Sequence, residues 1–244
     1  MQKPTIAIIG PGRAGSALGR ALRSAGYPIA AIGGRNPDNV RNLAQELGAD
    51  SLCSAAGRSV VHLSGAQDRA ALRPLAEQAG LRTGVFHPLQ TFRRGPQAAQ
   101  NVAGTYFGID AEPQFRDQLT QLALGIGGHP FDLSGIDRAL YHAAAVFAAN
   151  YPTTLLAEAI ALASQAGLEA ETARQGMTTL LAGAVKNLSE LTPAEAITGP
   201  ASRGDQGTIQ RHLDALKRDP ELQRLYQLLA ERTKQLNPDK EAAA

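Results

Sequence analysis

Gly10, Gly12 and Gly15 stand directly behind the apolar run Thr5–Ile9, T-I-A-I-I, as G-P-G-R-A-G. Each glycine at this spacing has a physical use. The first makes a tight turn, the second lets a pyrophosphate approach the backbone, and the third lets a helix pack closely on a strand. Pro11, Arg13 and Ala14 complete the loop and open a helical pattern, in which Ala14, Ala17, Leu18, Ala21 and Leu22 share one face before Gly26 stops it. The free N–H groups and positive dipole end of that helix attract phosphate. Thr5–Ile9 itself reads as a strand buried on both faces of a parallel sheet. Strand, glycine loop and helix together point to a dinucleotide; a flavin nucleotide or another nucleotide-derived ligand would use the same cradle.

The second strand, Pro28–Gly33, narrows the choice of nucleotide. Sites that prefer NAD carry an acid about twenty residues beyond the glycines to hold the ribose hydroxyls. Here that place holds Gly34-Arg35-Asn36, with no carboxylate before Asp38. Arg35 can form charge-assisted, often bidentate bonds to a 2′-phosphate. The pattern therefore favours NADP, with Arg35 and Asn36 beside its adenosine end.

Other polar stretches exceed what packing needs. His87, Gln90 and Thr91 lie in F-H-P-L-Q-T-F (86–92), at the carboxyl end of an expected strand, where parallel sheets bind ligands. Tyr141, His142, Asn150, Thr153 and Thr154 form a polar stripe on an otherwise Ala-rich helical segment, and Asn150 faces Thr153 and Thr154 at helical spacing. Arg203, Asp205 and Thr208 sit where a glycine-rich loop enters a helix, a place suited to a substrate carboxylate. His142 and His87 are candidate proton donors, since a histidine can release a proton near neutral pH. Asn150 and Thr153 would orient the substrate.

The elements that must position these residues follow from periodicity and punctuation. Asn36-Pro37 opens a helix to Leu47, with Asn as the cap and Pro at the first helical position. Strands are expected at Ser59–Leu63, Thr83–Phe86, Thr105–Ile109 and His129–Leu133, with helices through Asp68–Gln78 and Pro113–Leu124. This alternation predicts a parallel α/β domain over residues 1–134. An all-α domain over 135–236 follows, with helices at Ile136–Asn150, Thr153–Ala166, Glu169–Leu188, Asp205–Lys217 and Asp219–Gln235. Pro152 is read as a break or kink, Thr192–Glu195 as a capping box, and 237–244 as a frayed tail.

Composition limits the function. The 244 residues are 43% hydrophobic with no Trp, so the core is built from Ala, Leu and Ile. A net charge of +2, dispersed along the chain, argues against nucleic acid and acidic membrane as partners. Cys53 is the only cysteine, so no intrachain disulfide or cysteine-based metal cluster forms, and it reads as a small buried or half-buried side chain. No run reaches spanning length and no signal-peptide pattern opens the chain, which points to the cytoplasm.

Five motifs in order carry a resemblance: G-P-G-R-A-G, H-L-S-G-A (62–66), F-H-P-L-Q-T-F (86–92), Y-H-A-A-A-V-F-A-A-N-Y (141–151) and T-G-P-A-S-R-G-D (198–205). The chain resembles a Rossmann-like family with a C-terminal helical domain of unknown function, similar to pyrroline-5-carboxylate reductase, ketopantoate reductase and other 6-phosphogluconate-dehydrogenase-like enzymes. The resemblance implies a Rossmann-type domain, NADP bound with help from Ser64 and Gly65, a small substrate between the domains, and a homodimer built through the helical half. Two features depart from it. Residues 48–58 are too short for the strand and crossover helix that relatives place there, beside the nicotinamide. The catalytic lysine of related hydroxyacid dehydrogenases falls at Val146, and the five lysines (3, 186, 217, 234, 240) all lie elsewhere. The expectation is an NADP-dependent reductase of a carboxylate-bearing carbonyl or imine compound. The rivals are a catalytically silent NADP-binding sensor or scaffold, and a protein with a flavin or deazaflavin partner.

Overall fold

The computed structural model describes residues 3–49 and 59–236. Most of the shortened stretch expected at 48–58, Cys53 and the expected tail at 237–244 lie outside the described residues. By its packing the chain divides into Met1–Pro152 and Thr153–Ala244, taken in turn here.

The first unit is the expected Rossmann-like α/β arrangement. Strand β1 (Ile6–Ile9) leads into helix α1 (Arg13–Ser24), and β2 (Ile29–Gly33) leads into α2 (Pro37–Leu47), with β1 and β2 paired in parallel. Asn36 caps α2 as expected, its side-chain oxygen accepting from the N–H groups of Asp38 and Asn39. Arg20 on α1 pairs with Glu46 on α2 at 2.6 Å and reaches the Gly95 carbonyl, fixing the helix over the strands.

A second ladder has the order β3 (Ser59–His62), β4 (Arg82–Leu89), β5 (Tyr106–Ala111), β6 (His129–Asp132). Helix α3 (Arg73–Ala79) connects β3 to β4, and α4 (Pro113–Gly125) connects β5 to β6; both pairings are parallel. The β4–β5 pairing is antiparallel, unlike the expected wholly parallel sheet. A parallel return needs a crossover, usually helical, and residues 90–105 carry only one 3₁₀ turn, Pro96–Asn101, packed on α1. Ile8, Leu18, Ile32, Leu43, Phe86, Phe107, Ile109 and Leu119 belong to one continuous core that joins both ladders.

Strand β1 corrects a second expectation. Only Ile8 is buried, and Ile9 is 68% exposed, so the strand is not covered on both faces. Among the described residues β1 pairs with β2 alone.

Helix α5 (Arg138–Gln165) crosses the division between the units. It runs unbroken through Pro152, replacing the two helices expected there. Proline removes a single backbone donor, and the Ala-rich turns on either side sustain the helix. The second unit continues with α6 (Ala170–Leu188), α7 (Pro193–Ala196), α8 (Gln206–Ala215) and α9 (Pro220–Gln235). The capping box at Thr192 and Glu195 is formed as expected.

Candidate functional site

The glycine loop has the local geometry its sequence demands. Gly10 sits at φ +89°, a backbone that side chains resist, and its N–H donates to the Gly33 carbonyl at 2.8 Å. A Cβ on Gly15 would collide with the Gly10 carbonyl oxygen, so loop and helix approach as closely as backbone allows. Around Gly12 the opposite holds: a Cβ there would meet nothing within 4 Å. Gly12 is also the cap of α1, with no side-chain bond to close the helix start. Among the described residues, the N–H groups of Arg13, Ala14 and Gly15 meet no backbone acceptor. The first turn carries no acid and instead bears the exposed cation Arg13. A cation at the positive end of a helix dipole is misplaced unless an anion lies beside it. The cradle therefore fits a pyrophosphate.

At the end of β2, a Cβ on Gly34 would press to 2.6 Å from the Pro11 ring, so Gly34 lets this turn lie against the glycine loop. Nothing in the local pattern of the sequence marked that role. Arg35 follows, exposed and without an ion pair among the described residues. Asn36, expected at the adenosine end, uses its side-chain oxygen as the cap of α2.

A second cluster forms at the carboxyl ends of β3 and β4. His87 lies within β4, which runs to Leu89 and not to Phe86 as the periodicity predicts. Its Nδ1 is 2.7 Å from the Tyr141 hydroxyl, and the two rings meet edge to face with centroids 5.5 Å apart. The other side of the imidazole lies on Gly65, where a Cβ would come within 2.7 Å of Nε2. Gly65 thus seats His87, and Ser64 beside it donates its N–H to Nδ1 of His62. His62 in turn bonds the Asp68 carbonyl through Nε2, so its two nitrogens are both engaged.

The surroundings decide what His87 can do. Burial first, then the electrostatic influence of His142, Arg138 and His62, pushes its pKa down from 6.5 to about 4. At neutral pH it is an uncharged imidazole, able to position a partner but not to deliver a proton as imidazolium. Burial raises the Tyr141 hydroxyl above its ordinary value, so it stays protonated, while the charge of Arg138 pulls the other way. Arg138 is 91% buried by its 9% exposure and bonds Asp110 at 2.8 Å through Nη2. Its Nη1 has no hydrogen-bond partner among the described residues. Sequence reasoning assigned no role to Arg138, Asp110 or His62, and Tyr141 entered only as part of a polar stripe. The pairs are made by residues from separate elements, so no local spacing reveals them.

The remaining expected residues are placed differently. His142 is exposed one residue beyond Tyr141, and Asn150 and Thr153 occupy exposed positions on α5 on either side of Pro152. Gln90 turns its side-chain oxygen back to accept from the Thr91 N–H at 2.8 Å. In the second unit Asp205 caps α8, accepting from the Thr208 N–H and, at 2.7 Å, from its hydroxyl. Arg211 donates to that same hydroxyl. Arg203 ends a 3₁₀ turn, Ala201–Arg203, exposed, and its charge helps hold the Asp205 carboxyl below its ordinary pKa, after the bonds from Thr208. A groove of about 450 Å³ in this unit runs between α8 and α9, lined by Ile209, Leu213, Gln227 and Ala230, and it contains none of the expected site residues.

The family is shown by comparison. Residues 105–233 match the domain of unknown function DUF2520, more than half of the chain. The chain belongs to this family. Residues 5–77 match the family described as NADP oxidoreductase, coenzyme F420-dependent, which spans the glycine loop and the Arg35 turn. Among solved structures, a candidate NADP oxidoreductase from Bacteroides fragilis is 25% identical, with a TM-score of 0.76, over 96% of this chain and 98% of that one. A pyrroline-5-carboxylate reductase from Streptococcus pyogenes shares the fold at 15% identity and a TM-score of 0.59, over 95% and 98% of the two chains. An imine reductase from Myxococcus stipitatus, solved with NADP+, does so at 19% identity and 0.57, over 95% and 92%. No curated protein matches the sequence. The fold is thus that of NADP-dependent oxidoreductases: a Rossmann-like domain followed by a helix-rich remainder.

Proposed function

We propose that the protein is an NADP-dependent reductase of a small carboxylate-bearing carbonyl or imine compound, such as a 2-oxo acid or a cyclic imine. One observation carries the reading: the start of α1 is uncapped, open at Gly12, and bears a cation where only a bound anion would balance the helix dipole. Bound NADPH would supply the hydride. The amides of Arg13, Ala14 and Gly15 would hold its pyrophosphate, and Arg35 its 2′-phosphate. Arg203, exposed and close enough to Asp205 for its charge to act there, would bind the substrate carboxylate. The cytoplasm supplies the reduced nucleotide this chemistry uses.

Helix α5 supports a homodimer. It carries only two residues with permanent charge, Arg138 and Glu158, and, against the expectation that no run reaches spanning length, it is long and apolar enough by composition to cross a membrane. Leu140, Phe147, Tyr151 and Leu155 are all exposed along it. A second copy of the chain laid on this stripe would bury it. Light scattering on the purified protein tests this: a dimer that Phe147→Glu dissociates supports it, and a wild-type monomer in detergent-free buffer refutes it.

The activity is tested by NADPH oxidation against a panel of 2-oxo acids, with ketopantoate among them, and cyclic imines, with 1-pyrroline-5-carboxylate among them. Turnover of one class is expected. Tight binding with no oxidation of any member would favour the silent scaffold, and visible absorbance in the purified protein would reveal a flavin or deazaflavin.

A further inference from the structure

Any reduction of a carbonyl needs a proton for the oxygen as the carbon gains hydride, and the two histidines marked for that role do not suit it equally. His87 is neutral and seated between Gly65 and Tyr141. His142 is exposed and makes no hydrogen bond among the described residues. The group that the fold holds in place with a proton to give is the phenol of Tyr141. It is half-buried, its ring packs against Phe131 of β6, and its oxygen sits 2.7 Å from His87 Nδ1.

We propose that Tyr141 is the proton donor of the reduction, and that His87 is its positioning residue, donating Nδ1–H to the phenol oxygen so that the phenolic hydrogen points outward. This assignment rests on the reductase reading above and deepens it. The step balances as follows. Bound NADPH would supply the hydride, two electrons and a hydrogen, to the carbonyl carbon, and the C=O π pair would then go to oxygen. That oxygen takes the Tyr141 proton, and the phenolate then regains a proton from water. The Arg138 charge favours the phenolate, against the burial that raises the hydroxyl's pKa. Arg138 faces it from the same helix, buried, with Nη1 unbonded and only Nη2 paired to Asp110 of β5. His142 on α5, His62 on β3 and His87 on β4 complete the titratable set around the pair. Among the described residues, the carboxylate that enters it is Asp110, itself bound to Arg138. A placed donor beside developing oxyanion charge is worth far more in such a site than in water.

The test uses the full chain with NADPH and the panel compound it turns over fastest. Tyr141→Phe should bind NADPH within about twofold of wild type and lose at least about 100-fold in kcat, with the solvent deuterium effect on kcat abolished. His87→Phe should lower kcat, and His87→Gln, which retains a donor, should restore part of it. A second readout needs no turnover. The tyrosinate absorbance of wild type minus that of Tyr141→Phe isolates one phenol, and His87→Phe should move its ionisation to higher pH by removing the bond that stabilises phenolate. A Tyr141→Phe enzyme within threefold of wild-type kcat would overturn the assignment while leaving the reductase reading intact. A downward or absent shift in that ionisation would overturn the role of His87. A wild-type protein that binds NADPH but reduces nothing would overturn both readings together.

Discussion

Among the described residues, two histidine–tyrosine pairs have almost the same geometry, one in each unit. His87 and Tyr141 are 2.7 Å apart with rings 5.5 Å centre to centre at 84°. His212 and Tyr226 are 2.7 Å apart with rings 5.6 Å apart at 83°. The first pair spans β4 and α5, lies on Gly65, and has a buried guanidinium beside it. The second joins α8 to α9, with His212 exposed. Geometry alone does not distinguish a reactive pair from a helix fastener; burial and neighbouring charge do. The polar loops divide the same way. Among the described residues, the start of α1 leaves its amides without a backbone acceptor or a side-chain cap, whereas the start of α8 is closed by Asp205, Thr208 and Arg211 bonding one another. Satisfied groups hold structure, and unsatisfied ones await a ligand.

Breaking the open end should have the largest effect. Gly12→Val fills the space the pyrophosphate needs and should weaken NADPH binding by at least about 100-fold, roughly 3 kcal/mol, as read by nucleotide fluorescence. Arg35→Ala removes a charge-assisted contact and should weaken NADPH by about 1.5–3 kcal/mol while leaving NADH within about twofold; equal losses for both would refute the 2′-phosphate role. The closed end should respond in stability alone. Asp205→Ala should cost about 1 kcal/mol in urea unfolding with NADPH affinity unchanged. Tyr226→Phe, at the exposed pair, should stay within about 0.5 kcal/mol of wild type and leave kcat untouched, the reverse of Tyr141→Phe.

Acid sharpens the contrast further. The pKa of His87 is about 4 in the folded chain against its ordinary 6.5, so between those values the unfolded chain binds the extra proton. Its contribution to stability is full above pH 6.5 and is lost as the pH falls toward 4. In His87→Gln that part of the acid limb should flatten. An unchanged limb in urea unfolding at pH 4.5 and 7 would mean that burial does not perturb the ring.

Much of this was legible in the sequence because its causes are local. Gly10-x-Gly12-x-x-Gly15, the Asn36 cap with Pro37 behind it, and the Thr192–Glu195 box each depend on residues within a few positions, and all three stand as read. The antiparallel β4–β5 pairing was not legible, since strand direction is set by how residues 90–105 travel, and the helix-free link carries no mark of it. Pro152 misled because one missing donor is a small loss within a 28-residue helix. The His87–Tyr141 contact joins residues 54 positions apart. Each lay inside a recognisable motif, F-H-P-L-Q-T-F or Y-H-A-A-A-V-F-A-A-N-Y, yet nothing in either motif names the other as its partner.

The most direct test is a crystal structure of the protein grown with NADP+. The pyrophosphate is expected within hydrogen-bond distance of the Arg13–Gly15 amides, with the 2′-phosphate against the Arg35 guanidinium. A nucleotide bound elsewhere, or a glycine loop left bare at saturating NADP+, would contradict the account.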